Sequence, residues 1–418
     1  MRQDSISSSD PLVSLFLELA GMPSPSGHER DVNDFLTTRL RGLGLEVEEG
    51  EPLYPDSGSS AGNLYCRLEG NVPGTPIMLS AHTDTVPSEE EALPEPVIED
   101  GIIRSASRSV LGADDKSAVA AIVFTLEQIV RNSTPQAGIE LLLTVGEEGG
   151  LRGAKMSSLE GVAAKSGFCL DSTGPVGDVI VKSPSQKTVN ATFIGVSAHA
   201  GVVPEEGRSA VRAAARAITA MKLGRLDEET TANVGIIRGG EAVNVVPDRC
   251  TVHSEARSHS REKLESQVAH MIDAFHLAAA EEEVDVELTV IDEFHGFDFS
   301  AGGLPIELAE RAFTRMGLKT KRTSTGGGSD VNVFNLKGLP CVNLATGMER
   351  VHTPDEYISV ESLYQMHEFL MALVVEARDV PDEDTAPVDT GGADAAATDE
   401  SGTDAADADF TADGQMSF

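Results

Sequence analysis

Side chains of the kinds that bind divalent metal ions follow several short apolar runs in this sequence. They are two histidines and a set of carboxylates: His82, Asp84, Asp114, Glu147, Glu148, Asp171 and His352. Imidazole and carboxylate groups suit zinc, with cobalt or manganese as substitutes. A carboxylate can bridge two ions, and two ions about 3.5–4 Å apart can hold the attacking water between them. The residue types therefore point to metal-assisted hydrolysis.

The adjacent pair Glu147 and Glu148 supplies one carboxylate more than coordination requires. Neighbouring side chains on a loop can diverge, so one of the pair can bind a metal while the other accepts a proton from the water. The residues alone leave open which glutamate has which role. A surface pair of glutamates is the ordinary alternative, and only the joint placement at successive strand ends argues against it.

The elements that must position these side chains are short strands buried on both faces. Apolar runs at residues 77–81, 139–145, 167–170 and 340–344 have the length and continuity of such strands. Residues 117–130 have helical apolar spacing and lie between the first two runs. Ligands bind outside the carboxyl ends of strands in α/β sheets, so we expect the polar residues to meet at one edge.

The middle of the chain has a different pattern. Residues 187–297 alternate strand-like and helix-like stretches in the order βαββαβ, which predicts a small two-layer α+β domain. The predicted fold class is α/β, with an α/β/α catalytic domain (residues 1–186 and 298–378) and this α+β insertion as a lid or dimerisation domain. The acidic segment at residues 379–418 is predicted to be a disordered tail.

Five motifs, in order along the chain, resemble the M20 family of zinc metallopeptidases and especially its peptidase T (tripeptide aminopeptidase) branch. They are SAHTDTVP at 80–87, LGADDK at 111–116, GEEG at 146–149, LDS at 170–172 and VHT at 351–353. The resemblance runs from about residue 11 to residue 378 and implies an α/β zinc-peptidase fold with an inserted lid.

The resemblance implies a set of five metal ligands for two zinc ions. His82 and Asp171 match the ligands of one ion, Glu148 and His352 match those of the other, and Asp114 matches the bridge.

Three further features of the catalytic domain are implied in the same way. Glu147 matches the general base, and Asp84 matches the residue that orients the histidine two positions before it. The bond between Asp114 and Asp115 matches a cis peptide.

The inserted domain carries candidates for substrate contact. His199, in VSAHAG at residues 196–201, matches a lid histidine that polarises the scissile carbonyl, often in the partner subunit of a homodimer. Asn244 and Arg257 match lid positions near substrate, although a strand-end salt bridge explains Arg257 nearly as well. Gly327 and Ser329, in the glycine-rich loop at residues 326–330, are expected to approach substrate closely.

The function that these residues indicate is removal of the N-terminal residue from short peptides by a two-zinc exopeptidase. Glu147 would be the general base and His199 would stabilise the oxyanion. An amidohydrolase acting on N-acyl amino acids, or a carboxypeptidase, is the alternative with the same ligand set. A silent peptide-binding protein is a third possibility, which the intact ligand set disfavours.

Charge narrows the range of partners. The chain has 68 acidic and 32 basic residues and a formal net charge of −36; twelve of the negative charges lie at residues 379–418, which leaves −24 on the rest. Such a surface repels phosphate, so neither nucleic acid nor an anionic membrane is an expected partner. A high-salt cytoplasm would fit this charge.

No apolar run has the roughly 18–20 residues of a membrane span. Residues 1–11 have no basic start followed by an apolar stretch, so a cytoplasmic location is expected. The four cysteines are far apart without a CxxC motif, which predicts buried, reduced thiols.

Overall fold

A computed structural model describes residues 10–88 and 92–381 of the chain. The helices of these residues are α1 (Pro11–Ala20), α2 (Arg30–Gly42), α3 (Ala113–Asn132), α4 (Arg152–Met156), α5 (Ala210–Ala220), α6 (Arg261–Glu282), α7 (Leu304–Arg315), α8 (Asp330–Leu336) and α9 (Val360–Arg378). The strands are β1 (Val47–Glu49), β2 (Leu64–Leu68), β3 (Ile77–His82), β4 (Pro96–Glu99), β5 (Ile102–Ser105), β6 (Ile139–Thr144), β7 (Ser166–Ser172), β8 (Asp178–Ser183), β9 (Ser185–Ile194), β10 (Ala198–His199), β11 (Gly224–Arg225), β12 (Thr230–Gly239), β13 (Val245–Val246), β14 (Arg249–Ser258), β15 (Asp285–Phe294), β16 (Phe297–Asp298), β17 (Lys321–Ser324), β18 (Cys341–Ala345) and β19 (Tyr357–Ser359).

The largest sheet of the described residues has nine strands. Its order is β1-β2-β6-β3-β7-β18-β8-β16, with β17 paired to β8. The four central strands β6, β3, β7 and β18 are parallel, and they are the four strands expected from the apolar runs. Parallel strands require crossover connections, and α3 provides one between β3 and β6.

Helices cover both faces of this sheet. Every residue of β3 and β6 is buried, as expected of strands whose alternating side chains find apolar partners on both sides. Helix α3 packs against β3 and β7. In another apolar cluster, Met78 and Cys341 of the strands pack with Phe334 of α8. The catalytic region is therefore a three-layer α/β/α structure, as predicted.

A second, antiparallel sheet of five strands has the order β11-β12-β14-β9-β15. Burial alternates along β14, because α5 and α6 pack on one face and the other face has no helical layer among the described residues. The order of the main elements, β9-α5-β12-β14-α6-β15, is the predicted βαββαβ pattern with the short strands β10, β11 and β13 added. The mixed α/β fold class is thus confirmed.

Other predictions have mixed outcomes. The four cysteines are buried free thiols, as expected. No helix of the described residues is long and apolar enough to cross a membrane. Most of the predicted tail lies outside the described residues. Its first residues do not: the Thr75 hydroxyl donates hydrogen bonds to the carbonyls of Val380 and Pro381, at 3.0 and 3.3 Å.

Candidate metal centre and active site

The parallel strands bring the predicted ligands to one edge of the large sheet. His82 is the last residue of β3, and Asp171 is the last but one of β7. Glu148 follows the neighbouring strand β6 after a turn at Gly146, whose positive φ of 60° suits glycine. His352 comes from the long loop after β18. Each side chain therefore leaves the carboxyl end of the sheet, as expected.

Asp114 lies at the centre of this group. Its Oδ1 is 3.1 Å from His82 Nε2, and its Oδ2 is 3.3 Å from His352 Nε2. His352 Nε2 is also 2.8 Å from Glu148 Oε1, and His82 Nε2 is 3.8 Å from Asp171 Oδ1. The structure thus brings all five predicted ligands together and turns the two oxygens of Asp114 toward different histidines.

The donor set fits divalent metal ions. Ligand atoms of His82, Asp114 and Glu148 lie within 4.8 Å of one another, and so do those of His82, Asp115 and Asp171. Nitrogen and oxygen donors at this spacing suit a pair of ions.

The electrostatics of the same side chains also favour a cation. Burial and the nearby charge of Asp114 raise the pKa of Asp171 well above its usual range. Hydrogen bonds to Asp114 and Glu148 raise the pKa of His352 to about 10. Burial alone would raise the pKa of Asp114, but its bonds with His352 and His82 outweigh burial and lower it. Negative charge is in excess here, and a cation would stabilise it.

Asp84 organises the loop that carries the two glutamates. Its Oδ1 accepts a hydrogen bond from the Glu147 amide (2.9 Å), and its Oδ2 accepts from the Glu148 amide (3.2 Å) and the Ser26 hydroxyl (2.6 Å). The expected contact with His82 uses mainly the backbone: His82 Nδ1 is 2.9 Å from the Asp84 carbonyl and 3.4 Å from the carboxylate. The Asp84 side chain thus fixes the glutamate loop more directly than the histidine.

Glu147 has a different environment from its neighbour Glu148. Its side chain makes no hydrogen bond or ion pair within the described parts of the chain, whereas Glu148 contacts His352. Burial, together with the charge of Asp171, raises the pKa of Glu147 well above its usual range. A carboxyl group with a raised pKa beside the ligand cluster holds a proton more readily than an ordinary carboxylate, as a general base that later returns the proton must.

Several buried polar residues at this site were missed by the sequence reasoning. Asp115 Oδ2 accepts from the His82 amide at 3.3 Å, and the bond between Asp114 and Asp115 is cis, as the resemblance implied. Asp330 Oδ2 accepts from the Thr144 hydroxyl at 2.5 Å, and burial raises the pKa of Asp330 to about 6. Asp115 lies in the LGADDK motif and Asp330 ends the glycine-rich loop. The sequence therefore indicated both positions but not the contacts that these residues make.

Two more buried charged groups come from parts of the chain with no comparable signal. Burial raises the pKa of Glu29 to about 7, and its Oε1 accepts from the Gly27 amide at 2.7 Å. Glu356 is 1% exposed and accepts two backbone hydrogen bonds, from Gly112 and Asp114. Nearby Lys116 is also 1% exposed, and burial lowers its pKa to about 7.

The lid candidates His199 and Asn244 lie side by side. Strand β10, which contains His199, pairs with β13, and the Ala200 amide donates to the Asn244 carbonyl at 2.9 Å. Both residues are exposed, and the His199 ring accepts a hydrogen bond from the Gly201 amide at 3.1 Å. Neither hydrogen-bonds to the ligand cluster in the described structure.

Arg257 and the glycine-rich loop form a second group. Arg257 pairs with Glu255 at 3.0 Å, as its alternative explanation expected, and Nη1 donates to the Gly326 carbonyl at 3.3 Å. The Gly327 carbonyl accepts from the Ser183 hydroxyl at 2.9 Å, and Ser329 caps α8. This group links the lid strand β14 to the loop before α8 but does not hydrogen-bond to the ligand cluster within the described residues.

A buried histidine, a half-exposed histidine and buried carboxylates at the carboxyl edge of the parallel strands define a class of metal-dependent hydrolases. The family profile described as "Peptidase family M20/M25/M40" matches residues 78–376. The chain belongs to this family and is a peptidase.

The similar proteins include two solved structures. The chain is 40% identical to the aminopeptidase PepT from Bacillus cereus, with a TM-score of 0.78 over 88% of this chain and 98% of that one. It is 36% identical to a tripeptidase from Staphylococcus aureus, with a TM-score of 0.82 over the same shares. The uncharacterized protein YqjE of Bacillus subtilis is 39% identical over 366 residues, which are 88% of this chain and 98% of YqjE.

Proposed function

We propose that this peptidase is a two-metal exopeptidase that removes the N-terminal residue from tripeptides. The observation that carries the proposal is the division of the Asp114 carboxylate, with Oδ1 directed at His82 and Oδ2 at His352. A bridging carboxylate needs two oxygens that face two separate sets of ligands. Asp171 on one side and Glu148 on the other complete those sets.

The residues would hold two ions in the following way. His82 and Asp171 would bind one ion, His352 and Glu148 the other, and Asp114 both. Zinc is the proposed metal because imidazole and carboxylate donors suit it, with cobalt or manganese as substitutes. When bound, the two ions would lower the pKa of the attacking water and polarise the scissile carbonyl.

Glu147 is the proposed general base. It lies next to Glu148, its amide is fixed by Asp84, and its carboxyl is free of other hydrogen bonds among the described residues. Glu147 would take a proton from the attacking water and deliver it to the leaving amine, since a raised pKa makes both steps accessible.

The lid residues would complete the site around the substrate. His199 is exposed, so its ring can reach a bound substrate. It would donate a hydrogen bond to the developing oxyanion once its own lid, or the lid of a partner subunit, lies over the peptide. Asn244, next to it, and Arg257, near Gly327 and Ser329, are proposed to contact the rest of the peptide. The pairing of Arg257 with Glu255 means that a substrate carboxylate would have to compete for the guanidinium.

Charge and the similar proteins support the proposed direction of cleavage. An acidic surface favours the free ammonium group of a peptide over an acylated N-terminus. Similar solved structures are an aminopeptidase and a tripeptidase, which supports the same direction here.

The test is a cleavage assay with metal-loaded protein on free and N-acetylated tripeptides, read by mass spectrometry. We expect free tripeptides to be cut after the first residue and the acetylated ones to resist. Efficient hydrolysis of N-acyl amino acids with free tripeptides untouched would instead support the amidohydrolase alternative. Release of the C-terminal residue would support a carboxypeptidase.

Further proposals concern organisation. We propose residues 1–186 and 298–378 as the catalytic domain and residues 187–297 as the lid, through which a homodimer could form. The separate sheet of β9 to β15 supports this division. The cytoplasmic location remains a prediction from the sequence.

A further inference from the structure

One buried carboxylate joins the segment of Asp114 to the loop of His352. Glu356 Oε2 accepts a hydrogen bond from the Gly112 amide at 2.8 Å, and Glu356 Oε1 accepts one from the Asp114 amide at 2.9 Å. We infer that Glu356 is a positioning residue that holds the bridging carboxylate of Asp114 in register with His352. This inference rests on the proposed two-metal function.

The loop that carries Glu356 is closed at its base. Backbone hydrogen bonds run in both directions between Glu349 and Tyr357, at 3.0 and 3.1 Å, and β19 then pairs with β5. His352 lies within this loop with a positive φ of 63°, and the Glu356 amide donates to the Thr353 carbonyl at 3.1 Å. The position of the Glu356 carboxylate relative to His352 is therefore set by the loop itself.

The segment that Glu356 contacts, residues 112–114, is not held by regular helix geometry. Asp114 and Asp115 have non-helical backbone angles although they stand at the start of α3, so the helix does not fix them. The two amides bound by Glu356 are those of Gly112 and Asp114, on either side of Ala113. Holding both amides fixes the direction in which the Asp114 side chain leaves the backbone.

The same arrangement occurs once more at this site. Asp84 accepts hydrogen bonds from the amides of Glu147 and Glu148 with its two oxygens, as Glu356 does with Gly112 and Asp114. Burial lowers the pKa of Lys116 to about 7, and the charges of Glu356 and Asp84 oppose that shift. Two of the irregular segments that deliver metal-ligand candidates, those of Asp114 and Glu148, are thus each held by a buried carboxylate.

The experiment uses the full chain without metal, titrated with Co²⁺, and follows affinity by calorimetry and coordination by visible absorption. Glu356→Gln keeps the size of the side chain but has one acceptor for two amides. We expect 10–100-fold weaker Co²⁺ binding, the usual effect of removing a partner that orients a ligand, and an altered absorption spectrum. Glu356→Asp keeps two acceptors on a shorter stem and should recover part of the affinity.

The matched control is Asp355→Asn, which makes the same change of charge one residue away. The Asp355 side chain is 78% exposed, and its contact with Arg350 is long, at 3.6 Å. The Asp355→Asn variant should therefore bind Co²⁺ with the affinity of the wild type.

A double-mutant cycle with Asp114→Asn separates positioning from general destabilisation. If Glu356 acts through Asp114, Glu356→Gln should cause little further loss in the Asp114→Asn background. Equal losses in both backgrounds, or wild-type affinity of Glu356→Gln, would overturn the inference. If Glu356→Gln does not fold, Glu356→Asp decides by the same cycle. A wild type that binds no Co²⁺ would instead refute the proposed metal centre.

Discussion

The two main sheets of the described residues are covered differently, and the difference separates two kinds of candidate functional residue. The large sheet has helices on both faces, and its carboxyl edge carries buried groups such as His82, at 2% exposure. The five-stranded sheet has α5 and α6 on one face, and His199, in the short strand β10 that follows β9, is exposed.

Burial has a direct consequence for how each group is positioned. A buried charge is costly unless it is paired, so the groups at the large sheet form a dense network in which Asp114 contacts two histidines. His199 makes a single ring contact, with the Gly201 amide, among the described residues. The first region is pre-organised, whereas under the proposed function His199 would gain its further contacts when substrate binds.

The largest expected effect comes from His352→Ala. This ligand candidate is half exposed, so its loss should spare the fold while removing about one ion per chain and nearly all activity. Several kcal/mol of transition-state stabilisation by a metal corresponds to about 10²–10⁴-fold in rate. Metal analysis and tripeptide hydrolysis measure both. The exposed His276→Ala is the control, and full activity of His352→Ala would contradict the metal assignment.

The second prediction tests whether Glu147 and Glu148, at the edge of the large sheet, have different roles. Glu147→Gln should keep both metals and lower turnover by about 10²–10⁴-fold, the range for general acid–base catalysis. Its neighbour Glu148→Gln should lose metal, because Glu148 contacts His352 at 2.8 Å. Metal content and kcat are measured for the pair. If Glu147→Gln loses metal and Glu148→Gln does not, the two roles are reversed.

The lid provides the third prediction. His199→Ala should leave metal content and melting temperature unchanged and lower the rate of the chemical step by about 10²–10³-fold, as for one oxyanion donor. Single-turnover kinetics measures this step. His253→Ala, an exposed lid histidine beside Asn190, should be neutral. A loss of metal in His199→Ala would show that the two regions are less independent than the structure indicates.

The smallest effect concerns the end of the chain. A truncation after Pro381 should leave activity and melting temperature nearly unchanged, because the sequence of the removed segment contains few large apolar side chains. A truncation after Arg378 also removes Val380, which is 9% exposed and whose carbonyl accepts from Thr75. That variant should be less stable by about 1.5–3 kcal/mol, the value of one buried apolar side chain. Thermal melting of the two truncated variants measures this difference. Equal stability would show that the contacts of Val380 do not stabilise the fold.

The sequence predicted a helix or a strand correctly where the local apolar pattern agrees with the way that the element packs. The apolar run at 77–81 became β3 (Ile77–His82), because a strand buried on both faces is apolar at every position. The first helix of the predicted βαββαβ insertion is α5 (Ala210–Ala220). Its start is set by Ser209, whose side chain accepts from the Arg212 amide, while Arg208 still pairs with Val196.

Other elements lacked a decisive local signal. Helices α1 and α2 were not predicted, although both bury one apolar face. Helical spacing predicted a helix over residues 117–130, and α3 begins earlier, at Ala113, with non-helical backbone angles at Asp114 and Asp115.

The sequence by itself determined which residues could bind metal and that they would share one edge. Strands of the same direction deliver their ends to the same place, and His82, Glu148 and Asp171 each follow an apolar run. Only the tertiary structure decided how those residues are held. Glu356 bonds to Asp114 from 242 positions away, and Ser26 bonds to Asp84 from 58. No local pattern marks such partners, because their effect depends on burial and direction, which exist only once the chain has folded.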